Sequence, residues 1–203
     1  MKLPFLALLI ATTSIAFGAT TFDFKDPKGV NAISFHLDSL LEPISGNAAG
    51  ISGSIDFDPA NPAATRGVIE VATSSLTVPN DTMREHLLSP GWIDAGSHPT
   101  ITFEITGLDH IETEGNTTTA HASGKFTLKG VTKEIVVPVK LTHLEGAFGK
   151  RINKPEVGGD LLVVRGDFSV SRAEFGIKPG QNEDKVADEV ELSIAIVGGA
   201  PQA

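Results

Sequence analysis

The chain has no cysteine, and that absence removes several functions at once. It can form no disulfide, supply no thiol nucleophile and accept no lipid through a cysteine, so its stability must come from burial and strand pairing. Positive charge is also scarce: 16 Lys and Arg stand against 25 Asp and Glu, a net charge of −9. An acidic protein has no long-range attraction for phosphate backbones or anionic lipid surfaces, which argues against nucleic acid as a partner. The densest basic group, Lys150, Arg151 and Lys154, reads as a solvated loop. No segment beyond the N-terminus approaches the ~20 apolar residues of a membrane span, so no transmembrane segment is expected.

Catalytic and cofactor motifs are missing too. The stretch Gly50-Ile51-Ser52-Gly53-Ser54 lacks the strand-turn-helix setting of a nucleophile elbow. No glycine cluster opens a helix, so there is no phosphate-binding loop. Paired acids such as Glu112 with Glu114, or Glu189 with Glu191, sit at loop tips or alternate with apolar residues, as on a solvent face. Catalytic residues, metal and cofactors are therefore all assigned as none.

The N-terminus, MKLPFLALLIATTSIAFGAT, has Lys2, an apolar run from Leu3 to Ile10 and a small-x-small pattern ending at Gly18. It is read as a signal peptide over residues 1–18, cleaved after Gly18, which makes the protein periplasmic or secreted. One domain is expected over residues 22–198.

Apolar alternation dominates the rest. Ile101, Phe103 and Ile105 fall on one side of a strand, and Phe126 and Leu128, then Ile135, Val137, Val139 and Leu141, continue the pattern. Strands are expected at Ala32–Leu40, Ala49–Phe57, Gly67–Leu76, Thr100–Ile111, Thr118–Lys129, Lys133–Leu144, Leu161–Arg172 and Glu189–Val197, bounded by Gly, Pro, Asn and Asp clusters. Short connections make them antiparallel. An all-β chain with eight such strands closes into a barrel or packs as a two-sheet sandwich, and periodicity does not choose between them. One short helix is expected at Asp81–Leu88, capped by Asn80 and Asp81, with Met83 and Leu87 on one face.

Glu114-Gly115-Asn116-Thr117 is a two-residue hairpin turn. Centred there, it sets His110 opposite His121 and Glu112 opposite Thr119, on the solvent face. The histidine pair is read as solvated, with a weak zinc or copper site as the alternative reading and Glu112 the only nearby acid.

MREHLLSPGWIDAGSHPTITFEITG, GKFTLKGVTKEIVVPVKLT, VSRAEFGI and VADEVELSIAI, in that order, resemble the YceI-like family across roughly Val30 to Val197. Two rings differ from its usual pattern: Trp92 in place of Phe, and His98 in place of Tyr. The resemblance implies an eight-stranded antiparallel lipocalin-like barrel, with the helix near one mouth and an apolar interior holding a long-chain isoprenoid (polyprenyl or quinone-type) or a similar amphiphilic lipid. It implies a carrier or sequestering protein, not an enzyme, and leaves room for a homodimer that stacks two mouths. The ligand-binding set it implies is Phe35, Leu37, Ile69, Val71, Leu87, Trp92, Ile101, Phe103, Ile105, Phe126, Leu128, Val137, Val139, Phe168, Arg172 and Phe175. Arg172 is placed at a mouth, bonded to a headgroup or paired with Asp188. The competing expectation is a packed barrel that serves as a non-enzymatic stress-response interaction protein, binding through the loops at Gly146–Asp160 and Gly176–Asp188.

Overall fold

The computed structural model describes residues 18–26 and 28–202, so the expected signal peptide lies outside the described residues except for Gly18. Five long strands run as consecutive antiparallel neighbours: β7 (Thr100–Glu114), β8 (Thr117–Leu128), β9 (Val131–Leu144), β10 (Gly159–Ser171) and β11 (Glu189–Pro201). Three further wall positions are each broken in two. β1 (Thr20–Asp23) is continued by β2 (Ala32–Leu37), β3 (Ile44–Ala48) by β4 (Ile51–Phe57), and β5 (Arg66–Ala72) by the short β6 (Leu76–Thr77). β1 pairs with β4 and β2 with β3, while the ring closes where Asp23 of β1 meets Gly199 of β11. The result is a closed eight-position antiparallel barrel.

The breaks are where sequence and structure part. The expected strand at Ala32–Leu40 ends at Leu37, and β1 was not anticipated because its four residues, TTFD, offer only one buried position. β3 reads ISGNA, whose Ser, Gly and Asn look like turn signals, yet its residues alternate in and out of the core. Gly67–Leu76 is interrupted by a 3-10 turn at Thr73–Ser75. The sheet also extends past both expected domain ends, to Thr20 and Pro201.

Two polar residues repair the first break. Asn31, 2 % exposed, does the work of a missing ladder rung: its amide donates to the Phe24 and Val197 carbonyls at 3.1 Å each and accepts from the Val197 N–H at 2.9 Å. Asp26 accepts from the N–H groups of Lys28, Val30 and Asn31 and pairs at 3.1 Å with Arg151, on the one-turn helix α2 (Phe148–Arg151). Burial pushes the Asp26 carboxyl up, but the three N–H donors and Arg151 outweigh it and hold the group below its ordinary value.

That end of the barrel is solid. Phe22, Phe24 and Leu162 are 0 % and Phe57 1 % exposed, and the His143 ring meets Phe22 and Phe57 edge-on at centroid distances of 5.8 and 6.4 Å.

The β7–β8 hairpin turns at the expected residues, with Glu114 opposite Thr117 and Glu112 opposite Thr119. A bulge then changes the register, so Asp109, not His110, faces His121. His110 takes a left-handed φ of 48° in the bulge. Its hydrogen bond is the main influence holding the Asp109 carboxyl below the usual value, and Asp109, not Glu112, is the acid of this cluster.

The low Asp26 pKa fixes a sign. Its stabilisation is complete above the ordinary carboxylate pKa near ~4 and disappears as pH falls through the lower folded value. Asp26→Asn should therefore lower unfolding stability by about 1–3 kcal/mol at pH 7. The difference from the parent should shrink in urea titrations run at progressively lower pH below ~4.

Candidate functional site

Above the phenylalanine floor the barrel is hollow. A cavity of about 670 Å³ occupies the interior, which excludes a filled core. Its wall is formed by inward side chains of successive strands: Phe35 and Leu37 of β2, Ile69 and Val71 of β5, Ile101, Phe103 and Ile105 of β7, Phe126 and Leu128 of β8, Val137 and Val139 of β9, and Phe168 of β10. Leu87 reaches it from the helix α1 (Asp81–Leu88), Trp92 from the segment just after that helix, and Arg172 from the end of β10.

Large rings do not fill the cavity because they lie against the wall. A Cβ at Gly46 would overlap the Phe35 ring on the neighbouring strand, and one at Gly124 would come within 2.7 Å of the Phe103 ring. Each glycine gives a phenylalanine room to fold flat over the adjacent strand.

Phe175 departs from expectation. It is 1 % exposed but lies outside the lining, edge-on to Phe126 at 5.5 Å. The β9–β10 ladder stops at Gly166 opposite Val139, and beyond that point the 3-10 turn Ala173–Phe175 sits beside β9, with Glu174 3.8 Å from Lys133. Phe175 therefore packs into the core against Phe126, near the point beyond which β9 and β10 no longer pair.

The sequence list also missed lining residues. Ile33, Val164 and Ile196 simply extend the alternation of Phe35, Phe168 and Ile194, so the signal was present. Leu108 was hidden by the register shift between Ile105 and Gly107.

Apart from Thr65 and Thr102 on the wall and Arg172, the polar lining groups belong to three segments that form the mouth: Glu42 in the β2–β3 connection, Asn80, Thr82 and His86 at α1, and Asn182 and Lys185 in the β10–β11 connection. These segments are tied down. Asn80 caps α1 by accepting from the Met83 N–H at 2.9 Å, and Arg84 donates to the carbonyls of Leu76 and Ser74. The Leu41 N–H donates to the Asp184 carbonyl, and the Ala187 N–H donates to Ser39 Oγ. Met83 and Leu87 share the cavity-facing side of the helix, which acts as a partial cover.

Arg172 governs the β10–β11 connection. It is 3 % exposed and donates to five carbonyls: Nε to Ala187, one terminal nitrogen to Ile177 and Lys178, the other to Gln181 and Val186. The guanidinium carries five N–H donors, so this cradle leaves none for a headgroup. Asp188 is not its ion-pair partner; that carboxylate accepts from Ser171 Oγ and the Ala173 N–H. Trp92 lies under two cations, with Arg172 Cζ 5.8 Å and Lys178 Nζ 5.6 Å from its ring. Among the described residues no buried side-chain polar atom lacks a hydrogen bond, so the cavity meets no orphaned donor or acceptor.

A closed antiparallel barrel, solid at one end and hollow beneath a short helix at the other, defines the lipocalin-like class of barrels built around an internal cavity. A model of the YceI-like domain matches residues 18–198, and the chain belongs to the YceI-like family. It is 30 % identical over 202 residues to a UPF0312 protein of Pseudomonas paraeruginosa, covering 98 % of each chain. A UPF0312 protein of Vibrio cholerae is 36 % identical over 182 residues, 88 % of this chain and 90 % of the relative. Among solved structures, BcnA of Burkholderia cenocepacia aligns with a TM-score of 0.66 at 22 % identity, over 82 % of this chain and 95 % of its own. A polyisoprenoid binding domain from Saccharophagus degradans aligns with a TM-score of 0.66 at 11 % identity, over 90 % and 99 %. At these identities the two structures speak for the fold. Among the described residues no helix is long and apolar enough to cross a membrane.

Removing the guanidinium would leave five carbonyls to find new donors. Arg172→Ala should cost at least about 2 kcal/mol of stability by chemical unfolding. It should also speed amide hydrogen exchange across residues 176–188. Arg172→Lys should recover only part of the loss, because an ammonium has three donors and no planar fork.

Proposed function

We propose that the protein is an exported carrier that sequesters a long-chain isoprenoid, polyprenyl or quinone-type, in the barrel cavity without altering it. The observation that carries this reading is the cavity of about 670 Å³ with its apolar wall and polar rim. The volume falls within the range of small-molecule sites, roughly 300–1,000 Å³. Each methylene moved from water into such a wall contributes about 0.8 kcal/mol, so a branched hydrocarbon chain binds tightly with few polar contacts. The Saccharophagus relative, described as polyisoprenoid binding, supports the ligand class. The reading for export rests on the N-terminal pattern of a charged start, an apolar run and small residues before Ala19.

The headgroup is read to stay at the rim, beside Glu42, His86, Asn182 and Lys185, because Arg172 has no donor to spare. Chain length, more than headgroup, is then the basis of selection. A barrel acting only through its loops has no comparable support, since it would have no use for a hollow interior.

Trp92 is the only tryptophan and lines the cavity, so its fluorescence reports occupancy directly. Titration with a polyprenol or an isoprenoid quinone should change Trp92 emission saturably at one ligand per chain. The pair Ala122→Phe and Val139→Phe narrows the cavity without adding charge. Displacing as few as two methylenes should cost about tenfold in affinity. The surface change Lys129→Glu should leave affinity unchanged. Unaltered binding in a folded narrowed variant would place the ligand elsewhere.

A further inference from the structure

We propose that Asp109, His110 and His121 form a site for a divalent transition-metal ion, copper(II) in preference to zinc, on the outer wall of the barrel. One ligand atom from each residue lies within 4.8 Å of the others. Asp109 Oδ1 is 2.7 Å from His110 Nδ1 and 3.8 Å from His121 Nδ1, and the two imidazole centroids are 4.8 Å apart.

The backbone explains how this set arises. In a regular strand neighbouring residues point to opposite faces, so Asp109 and His110 could not share one. The β7 bulge inserts the extra residue that turns both outward while Leu108 and Ile111 still pack toward the core. It does so with a histidine at a left-handed φ of 48°, a conformation uncommon for residues other than glycine but one that His, like Asn and Asp, adopts more readily than most. His121 then arrives directly opposite Asp109 across the β7–β8 ladder.

Donor chemistry selects the ion. Two imidazoles and a carboxylate suit copper(II), nickel(II) and zinc, and copper(II) stands highest in affinity among them. Ser123 Oγ, 3.4 Å from Asp109 Oδ2, can hold the non-ligating oxygen. Nitrogen and oxygen ligands around a tetrahedral zinc lie about 3.3 Å apart, so the ligands need shifts on the order of 1 Å. The side chains are 54, 75 and 46 % exposed in the order Asp109, His110, His121, which leaves them free to make that adjustment and lets water complete the coordination. The three residues are absent from the cavity lining, so metal and lipid binding can be read out separately.

The test is calorimetric titration of the full protein with copper(II), then zinc, in the presence of a weak competing chelator, with electron paramagnetic resonance of the copper form. The expected result is one copper(II) per chain, two nitrogen ligands in the spectrum, and weaker zinc binding. His121→Ala and His110→Asn, the latter keeping a residue that tolerates the left-handed backbone, should each weaken binding by at least about tenfold. His36→Ala, at a half-buried histidine on β2 away from the cluster, should not. Unchanged Trp92 fluorescence and thermal unfolding would certify that the variants are folded. The proposal is overturned by copper binding that survives the His110→Asn, His121→Ala double variant, or by no binding in the micromolar range.

Discussion

Closure of the sheet is the constraint on which everything else depends. Eight strand positions fix an interior just wide enough for one small ligand or one layer of side chains. Which of the two results depends on where the large residues go. Phe22, Phe24, Phe57 and Leu162 crowd one end and make it solid. Toward the other end Phe35 and Phe103 lie over glycines on neighbouring strands, so their bulk thickens the wall and leaves the axis open. Closure also removes the outer edges of the sheet, while the β9–β10 ladder ends at Gly166 opposite Val139 and leaves the remainder of that seam unpaired.

Closing a barrel whose strands are broken requires polar repairs. Asn31 supplies side-chain hydrogen bonds where the β1–β2 backbone leaves the ladder, and Asp26 gathers the intervening loop and ties it to Arg151. At the mouth Arg172 does the same for a much longer connection by converging five carbonyls on one buried cation. A buried charge is costly unless its hydrogen bonds are complete, and here they are. The mouth is thus a shaped opening whose helix and loops are cross-tied, with the polar rim held above an apolar shaft.

Much of this was legible in the chain. β8, β9 and the start of β7 alternate so regularly that the inward set Ile101, Phe103, Ile105, Phe126, Leu128, Val137 and Val139 could be written down directly, and Asn80 and Pro90 bracket the helix at its observed bounds. Closure was not legible from alternation, because a sandwich has the same period; the resemblance to a family supplied it. Local irregularity hid the remainder. Each bulge in β7 shifts the partners beyond it: the one between Asp109 and Glu112 sets His121 opposite Asp109, and the one between Ile105 and Gly107 hid Leu108. A strand as short as β1 has too few residues to show a period. Phe175 was placed in the lining by the family resemblance, but its place was decided by where the β9–β10 ladder ends, a tertiary feature without a local signature. For Arg172 the sequence showed a lone cation among apolar residues, while its five partners come from a connection with no regular structure.

The hollow, apolar shaft is the central claim, and its natural contents test it most directly. The measurement is mass spectrometry of an organic extract of the protein purified from the cells that make it. The account predicts one long-chain isoprenoid or quinone per chain; a well-folded protein whose extract contains no such lipid would contradict it.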